Sequence, residues 1–154
     1  MHPKHLHFMR KQIKLLEEMR NIRRNPQSRR RLPLSIVTEH KLPDELRMTV
    51  DTRYPNSQLV SIAGCSSILE VILQHLKLAS VFANLDAFKG FWQFPLDVDC
   101  HQIYSLLTDV GIFTPERIVQ GSTDAAHAFQ AGMYESMYSL LFPCVLIWID
   151  DLLV

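Results

Sequence analysis

No stretch of this sequence is apolar for long enough to cross a membrane. Its longest apolar run, Leu140 to Ile149, has ten residues, whereas a helical span needs about 20, so the run reads as a buried strand. The N-terminus is basic and has no apolar stretch behind it, so no secretory leader is expected and an intracellular location, cytoplasmic or nuclear, is expected. Cysteine is scarce. Cys65, Cys100 and Cys144 are odd in number and far apart, which excludes a disulfide framework and a CxxC metal pair and leaves reduced, buried thiols. His2, His5 and His7 have no thiol or carboxylate neighbour and read as a frayed terminus. Internal repeats and low-complexity tracts are absent as well.

What is present is an ordinary globular balance, 47% hydrophobic and 21% charged in 154 residues, enough for one domain with a core. The net charge of zero hides an asymmetry. Residues 1–31 carry ten Lys or Arg against Glu17 and Glu18, a charge of +8, and the rest of the chain carries −8. Such a segment is either a grip for a polyanion beside a carboxylate-rich site or a solvated helix face and linker. Charge alone leaves both open.

Between residues 5 and 22, Leu6, Met9, Ile13, Leu16, Met19 and Ile22 recur three or four apart, which predicts an amphipathic helix ended by Asn25-Pro26 and followed by a basic link. The chain therefore divides into a basic helix and linker over 1–32 and a body over 33–154. In the body, Leu34–Thr38 and Leu46–Arg53 predict a hairpin across a polar turn. Ser66 and Ser67 can cap a helix reaching Leu76. Val81–Leu85, Tyr104–Thr108 and Cys144–Ile149 read as strands, and Asp124–Leu141 as a second long helix. Helices mixed with strands in no strict alternation give an α+β fold.

Two predicted strands end in aspartate, one at Asp86 and the other at Asp150-Asp151. If the strands are neighbours, three carboxylates meet at one edge and repel unless a cation lies between them. Hard divalent ions such as Mg²⁺ take such oxygens, and a pair of them suits phosphoryl transfer. Each signal alone is equally that of a turn residue.

The flanking residues carry more. Leu85-Asp86-Ala87-Phe88-Lys89-Gly90-Phe91-Trp92-Gln93, then Val119-Gln120-Gly121-Ser122-Thr123-Asp124-Ala125-Ala126 with Phe129-Gln130, then Trp148-Ile149-Asp150-Asp151-Leu152-Leu153, occur in that order. Upstream lies Arg47-Met48-Thr49-Val50-Asp51-Thr52-Arg53-Tyr54-Pro55-Asn56. Together, from about Pro33 onward, these resemble the reverse transcriptases of gypsy-type LTR retrotransposons. The resemblance implies a right-hand polymerase's fingers and palm, an antiparallel sheet packed on helices, acting as an RNA-directed DNA polymerase within a retrotransposon polyprotein.

It also implies roles. Asp86, Asp150 and Asp151 would be the catalytic carboxylates holding two Mg²⁺ ions, with Mn²⁺ an alternative. Arg47 would grip the phosphates of a deoxynucleoside triphosphate, and Lys41 would add a point charge. Phe91 would exclude a ribose 2′-hydroxyl, and Gln120 and Gly121 would lie under the nucleotide. Arg53 and Asn56 would position the fingers or template. Arg23, Arg24, Arg29, Arg30 and Arg31 lie before the resembling stretch, and it is the charge of their segment that makes them candidates to hold an RNA or DNA template with its primer. The sequence departs from the family in Trp148, where Tyr or Phe is usual, and in Asp124-Ala125-Ala126, where Asn-Ala-Pro is frequent. Only three residues follow Asp151, so the thumb and ribonuclease H parts are expected outside these residues. A truncated, inactive transposon remnant that at most binds nucleic acid through its basic segment is the alternative.

Overall fold

In the computed structural model, residues 2–38, 45–62, 74, 80–141 and 144–154 are described. The chain opens on helix α1 (Pro3–Glu18). Pro3 suits a first helical turn because its fixed φ is already helical and its missing N–H is not needed there. His2 caps it, its Nδ1 accepting from the Lys4 N–H at 3.3 Å. The three N-terminal histidines thus stand at a helix start and not on a frayed end.

The helix stops four residues before the sequence pattern does. The N–H of Asn21 donates to the Leu16 carbonyl (2.9 Å) and that of Arg20 to the Glu17 carbonyl (3.0 Å), with Arg20 at φ 56°. This is a left-handed helix cap that usually takes glycine. It frees Ile22 to start strand β1 (Ile22–Arg24).

Strands β2 (Leu32–Thr38) and β3 (Leu46–Val50) form the expected hairpin, with Leu34 opposite Val50 and Thr38 opposite Leu46. Short α2 (Arg53–Gln58) follows. Strands β5 (Leu106–Thr108) and β6 (Gly111–Pro115) complete a five-stranded sheet of order β1-β6-β5-β2-β3, in which only β2 and β5 run parallel. The expected strand over Tyr104–Thr108 starts late, because Val98–Tyr104 is a 3₁₀ helix. Met9, Ile13 and Leu16 of α1 pack with Ile22, Leu34, Ile36, Leu106 and Phe113 in one cluster. Burying each such side chain stabilises by about 1.5–3 kcal/mol.

A second sheet has the order β4-β8-β7, made of β4 (Asn84–Asp86), β8 (Asp151–Leu153) and β7 (Leu146–Trp148). Helix α3 (Ala125–Ser136) lies against it through Phe129 and Met133, which join Val145, Ile147 and Leu152. This helix is shorter than the span from Asp124 to Leu141. The helix expected from Ser66, the turn holding Lys41, and Cys65 fall outside the described residues.

Residues 25–31, read as a link, are tied down by buried hydroxyls. Ser28 Oγ donates to Ser105 Oγ (2.7 Å), Ser105 Oγ bonds Thr114 Oγ1 (2.8 Å), and Asn25 Nδ2 donates to Thr114 Oγ1 (3.0 Å). Buried hydroxyls satisfied in this way fix the backbone, and with it the start of Arg29–Arg31. No described helix is long and apolar enough to cross a membrane.

Candidate active site

The register of the second sheet decides where the carboxylates go. Asp86 is paired directly with Asp151 across β4 and β8. Residues opposite each other in an antiparallel pair project to the same face. Asp150 lies in the two-residue turn between Trp148 and Asp151, which are themselves a register pair. The Ala87 N–H donates to the Asp150 carbonyl at 2.8 Å, pinning the turn to the strand that bears Asp86. Asp86 and the Asp150-Asp151 pair, which begins 64 residues later, therefore come to one sheet edge.

Among the described residues, no Lys or Arg forms an ion pair with these three aspartates. The Asp151 carboxylate accepts from Asn84 Nδ2 at 3.3 Å. Carboxylate oxygens gathered at one edge are the donor chemistry of a hard divalent cation. Among the described residues, however, no group of three or more His, Cys, Asp or Glu side chains is arranged to hold a metal ion. The backbone assembles the set, and the side chains do not form a closed cage.

The turn itself is strained. Ile149 adopts φ 54°, a left-handed conformation unusual for a β-branched residue. Its N–H donates to Gln130 Oε1 (2.5 Å), while Gln130 Nε2 donates to the Ile147 carbonyl (3.0 Å). Gln130, on α3, is only 5% exposed.

A cleft of about 630 Å³ is lined by Arg47, Gln120 and Gly121, the expected nucleotide-pocket residues, together with Lys89, Trp92 and Gln12. Lys89, with φ 50° just before Gly90, adds a second cation to the cleft. It lies within a motif recognised in the sequence, but nothing in its spacing marked it as a pocket residue. Phe91 is not among the cleft walls. Its ring is 4.9 Å from that of Phe129, in the apolar cluster beneath α3.

The Gln120–Gly121 loop is fastened to α2. Thr52 Oγ1 donates to the Gly121 carbonyl (2.6 Å), as does Asn56 Nδ2 (3.0 Å), and Asn56 Oδ1 accepts from the Thr123 N–H (3.0 Å). Asn56 thus holds the cleft floor. Gly121 has φ 101°, and a Cβ there would lie 3.2 Å from Thr52 Oγ1, so both conformation and space favour glycine.

A larger cleft, about 820 Å³, is lined by Arg29, Arg30, Arg31, Arg53 and Tyr54 among others. The Arg30 guanidinium is 5.7 Å from the Tyr54 ring centroid and donates to its hydroxyl at 3.2 Å. Arg53 is committed to Asp51 through two side-chain bonds of 2.9 and 2.6 Å. Those bonds hold the Asp51 carboxyl down at about 2, from an ordinary 3.8. Because the folded value is depressed, the clamp is fully present above 3.8 and is lost as pH falls through about 2. Carboxyl-detected NMR titration is expected to find the Asp51 midpoint near 2, and an ordinary midpoint would mean that the clamp is open in solution. Arg23 pairs with Glu116 (3.0 Å) and Arg24 with Glu17 (3.4 Å), so these two are already engaged within the protein.

Burial pushes the Cys100 thiol up, away from reactive thiolate. Cys144 is exposed and not the buried thiol expected.

No protein-family model and no curated protein sequence matches the chain. Solved structures do. Native prototype foamy virus protease-reverse transcriptase superposes with a TM-score of 0.77 at 19% identity over 92% of this chain and 18% of its own. The foamy viral protease-reverse transcriptase in complex with RNA/DNA hybrid gives 0.83 at 20% identity over 99% of this chain and 20% of its own. A form of that enzyme in complex with double-stranded DNA gives 0.82 at 21% identity, covering 99% and 26%. This chain thus spans a fifth to a quarter of those proteins' length. Its architecture is the mixed α+β fold of reverse-transcriptase fingers and palm.

Proposed function

We propose that the chain is the fingers and palm of an RNA-directed DNA polymerase of gypsy-type LTR retrotransposon kind. It would join deoxynucleotides to a primer 3′-hydroxyl on an RNA or DNA template. The observation that carries this reading is the register pair Asp86–Asp151, with the Asp150 turn bonded back to Ala87. Asp86, Asp150 and Asp151 are the residues that would hold two Mg²⁺ ions, or Mn²⁺. Such ions, when bound, stabilise both the attacking and the leaving oxygens of an in-line displacement.

The chain's own residues supply the rest. Arg47 and Lys89 bring positive charge to the cleft where a triphosphate would lie, Arg47 as a planar fork and Lys89 as a point charge. Gln120 offers a donor and an acceptor at its floor. Phe91, packed on Phe129, lies outside the walls of that cleft and supplies no barrier to a ribose oxygen there. Arg29, Arg30 and Arg31 line the larger cleft and would hold template phosphates. That solved structures of the same fold hold DNA or an RNA/DNA hybrid supports a nucleic-acid partner.

The test is extension of a labelled primer on RNA and on DNA templates with Mg²⁺ or Mn²⁺, by the chain and by the chain joined to a related thumb. Metal-dependent extension by either supports the proposal, and none by both overturns it in favour of a remnant that binds nucleic acid only. Binding has its own signature. Replacing Arg29, Arg30 and Arg31 by serine is expected to weaken binding and to reduce the slope of log affinity against log salt by about 2–3, near 0.9 per lost phosphate contact. An unchanged slope would remove these arginines from the interface.

A further inference from the structure

From the hydrogen bonds around the β7–β8 turn, we infer that Gln130 is a positioning residue: its buried side-chain amide holds Ile149 in a left-handed conformation and so sets where the Asp150 carboxylate stands. The inference rests on the proposed reading of Asp86, Asp150 and Asp151.

Ile149 is a branched residue at φ 54°, and a residue strained in this way persists only where its surroundings over-determine it. Here the surroundings are few. Register places Trp148 opposite Asp151, which leaves Ile149 and Asp150 as the whole turn, and hairpin turns of this length need positive φ. Asparagine or glycine would take that conformation readily, and this turn has neither.

Gln130 offsets the strain. Its Oε1 accepts from the Ile149 N–H and its Nε2 donates to the Ile147 carbonyl, so one planar amide spans the entry to the turn. A buried amide with both ends engaged is costly to disturb, because each freed partner is left unsatisfied. On the far side, Ala87 holds the Asp150 carbonyl. The peptide that carries Asp150 is therefore fixed from α3 through Gln130 and from β4 through Ala87, and Gln130 contributes no atom to the carboxylate edge itself. Groups that orient a ligand without touching the ion typically change metal affinity by about 10–100-fold.

The test is Mn²⁺ binding to the full chain, read by electron paramagnetic resonance, with amide hydrogen exchange at Ile149. Gln130→Met keeps length and volume and removes both bonds. It is expected to weaken Mn²⁺ binding at least tenfold and to expose the Ile149 amide to exchange. Ile149→Gly accepts positive φ without strain, and in that background Gln130→Met is expected to cost less than threefold. The glycine background also serves if Gln130→Met alone fails to fold. Unimpaired Mn²⁺ binding by Gln130→Met, a still-protected Ile149 amide, or equal losses in both backgrounds overturns the inference while leaving the proposed function standing. A parent chain whose Mn²⁺ binding is absent, or unaltered by Asp86→Asn and Asp150→Asn, overturns both.

Discussion

Asp150→Asn is expected to lower the single-turnover rate of primer extension by about 10²–10³-fold. The substitution keeps side-chain size and the backbone bond from Ala87 to the Asp150 carbonyl, so the turn stays in place. It removes one negative charge from the edge where Asp86 and Asp151 face each other in register. A group that offsets developing charge in a transition state contributes on the order of 3–4 kcal/mol, and a factor of ten in rate is about 1.4 kcal/mol. Asp86→Asn should fall as far, because its strand supplies the opposite side of the same edge. Asp151→Asn should lose less, about 10–100-fold, since part of its carboxylate is already engaged by Asn84. Each variant is checked for folding by circular dichroism. Extension by Asp150→Asn at the parental rate would detach these carboxylates from the reaction.

Phe129→Ala carries the largest expected loss of stability, about 3–5 kcal/mol. The ring is fully buried and central to the cluster joining α3 to the second sheet. It stacks obliquely on Phe91 at 4.9 Å and meets Phe94 edge-on at 5.1 Å. Gly90 makes its place, because a Cβ there would lie 2.7 Å from Phe129 Cζ. The cavity left by alanine cannot close without moving the segment that bears Phe91. A domain of this size has about 5–15 kcal/mol in all, so the variant should unfold at much lower urea with an unchanged slope. A midpoint shift equivalent to less than about 1 kcal/mol would mean that the cluster is looser than its geometry implies.

The carboxylate edge was partly legible in the sequence because its signals are local. An aspartate closing an apolar run says where a strand ends, although the run closed by Asp86 pairs with β8, beyond the turn, and not with β7, the run that leads to Asp150. The β2–β3 hairpin was legible for the same reason, two β-prone runs flanking a polar turn. The end of α1 was not. Ile22 continues the helical spacing of Leu16 and Met19, and the cap that stops the helix uses Arg20 where glycine is usual, so no residue type announced it. The anchoring of residues 25–31 was hidden too, since serines and threonine far apart in sequence form the buried network. Gln130 stood in plain sight within a recognised motif. Its partner is a backbone amide strained by φ, and backbone conformation leaves no mark on a sequence that spells the turn with isoleucine.

The pairing of β1 with β6 matters before the protein is finished. Ile22 finds its partner at Pro115, 93 residues later, and the buried face of α1 rests partly on Leu106 and Phe113. Ribosomes add roughly 5–20 residues per second, so a newly made α1 waits on the order of ten seconds for its cover. During that interval Met9, Ile13 and Leu16 form an oily stripe on a cationic helix emerging from the exit tunnel. Apolar surface exposed in this way is prone to aggregation, and the interval closes once β6 is made and β1 can pair with it.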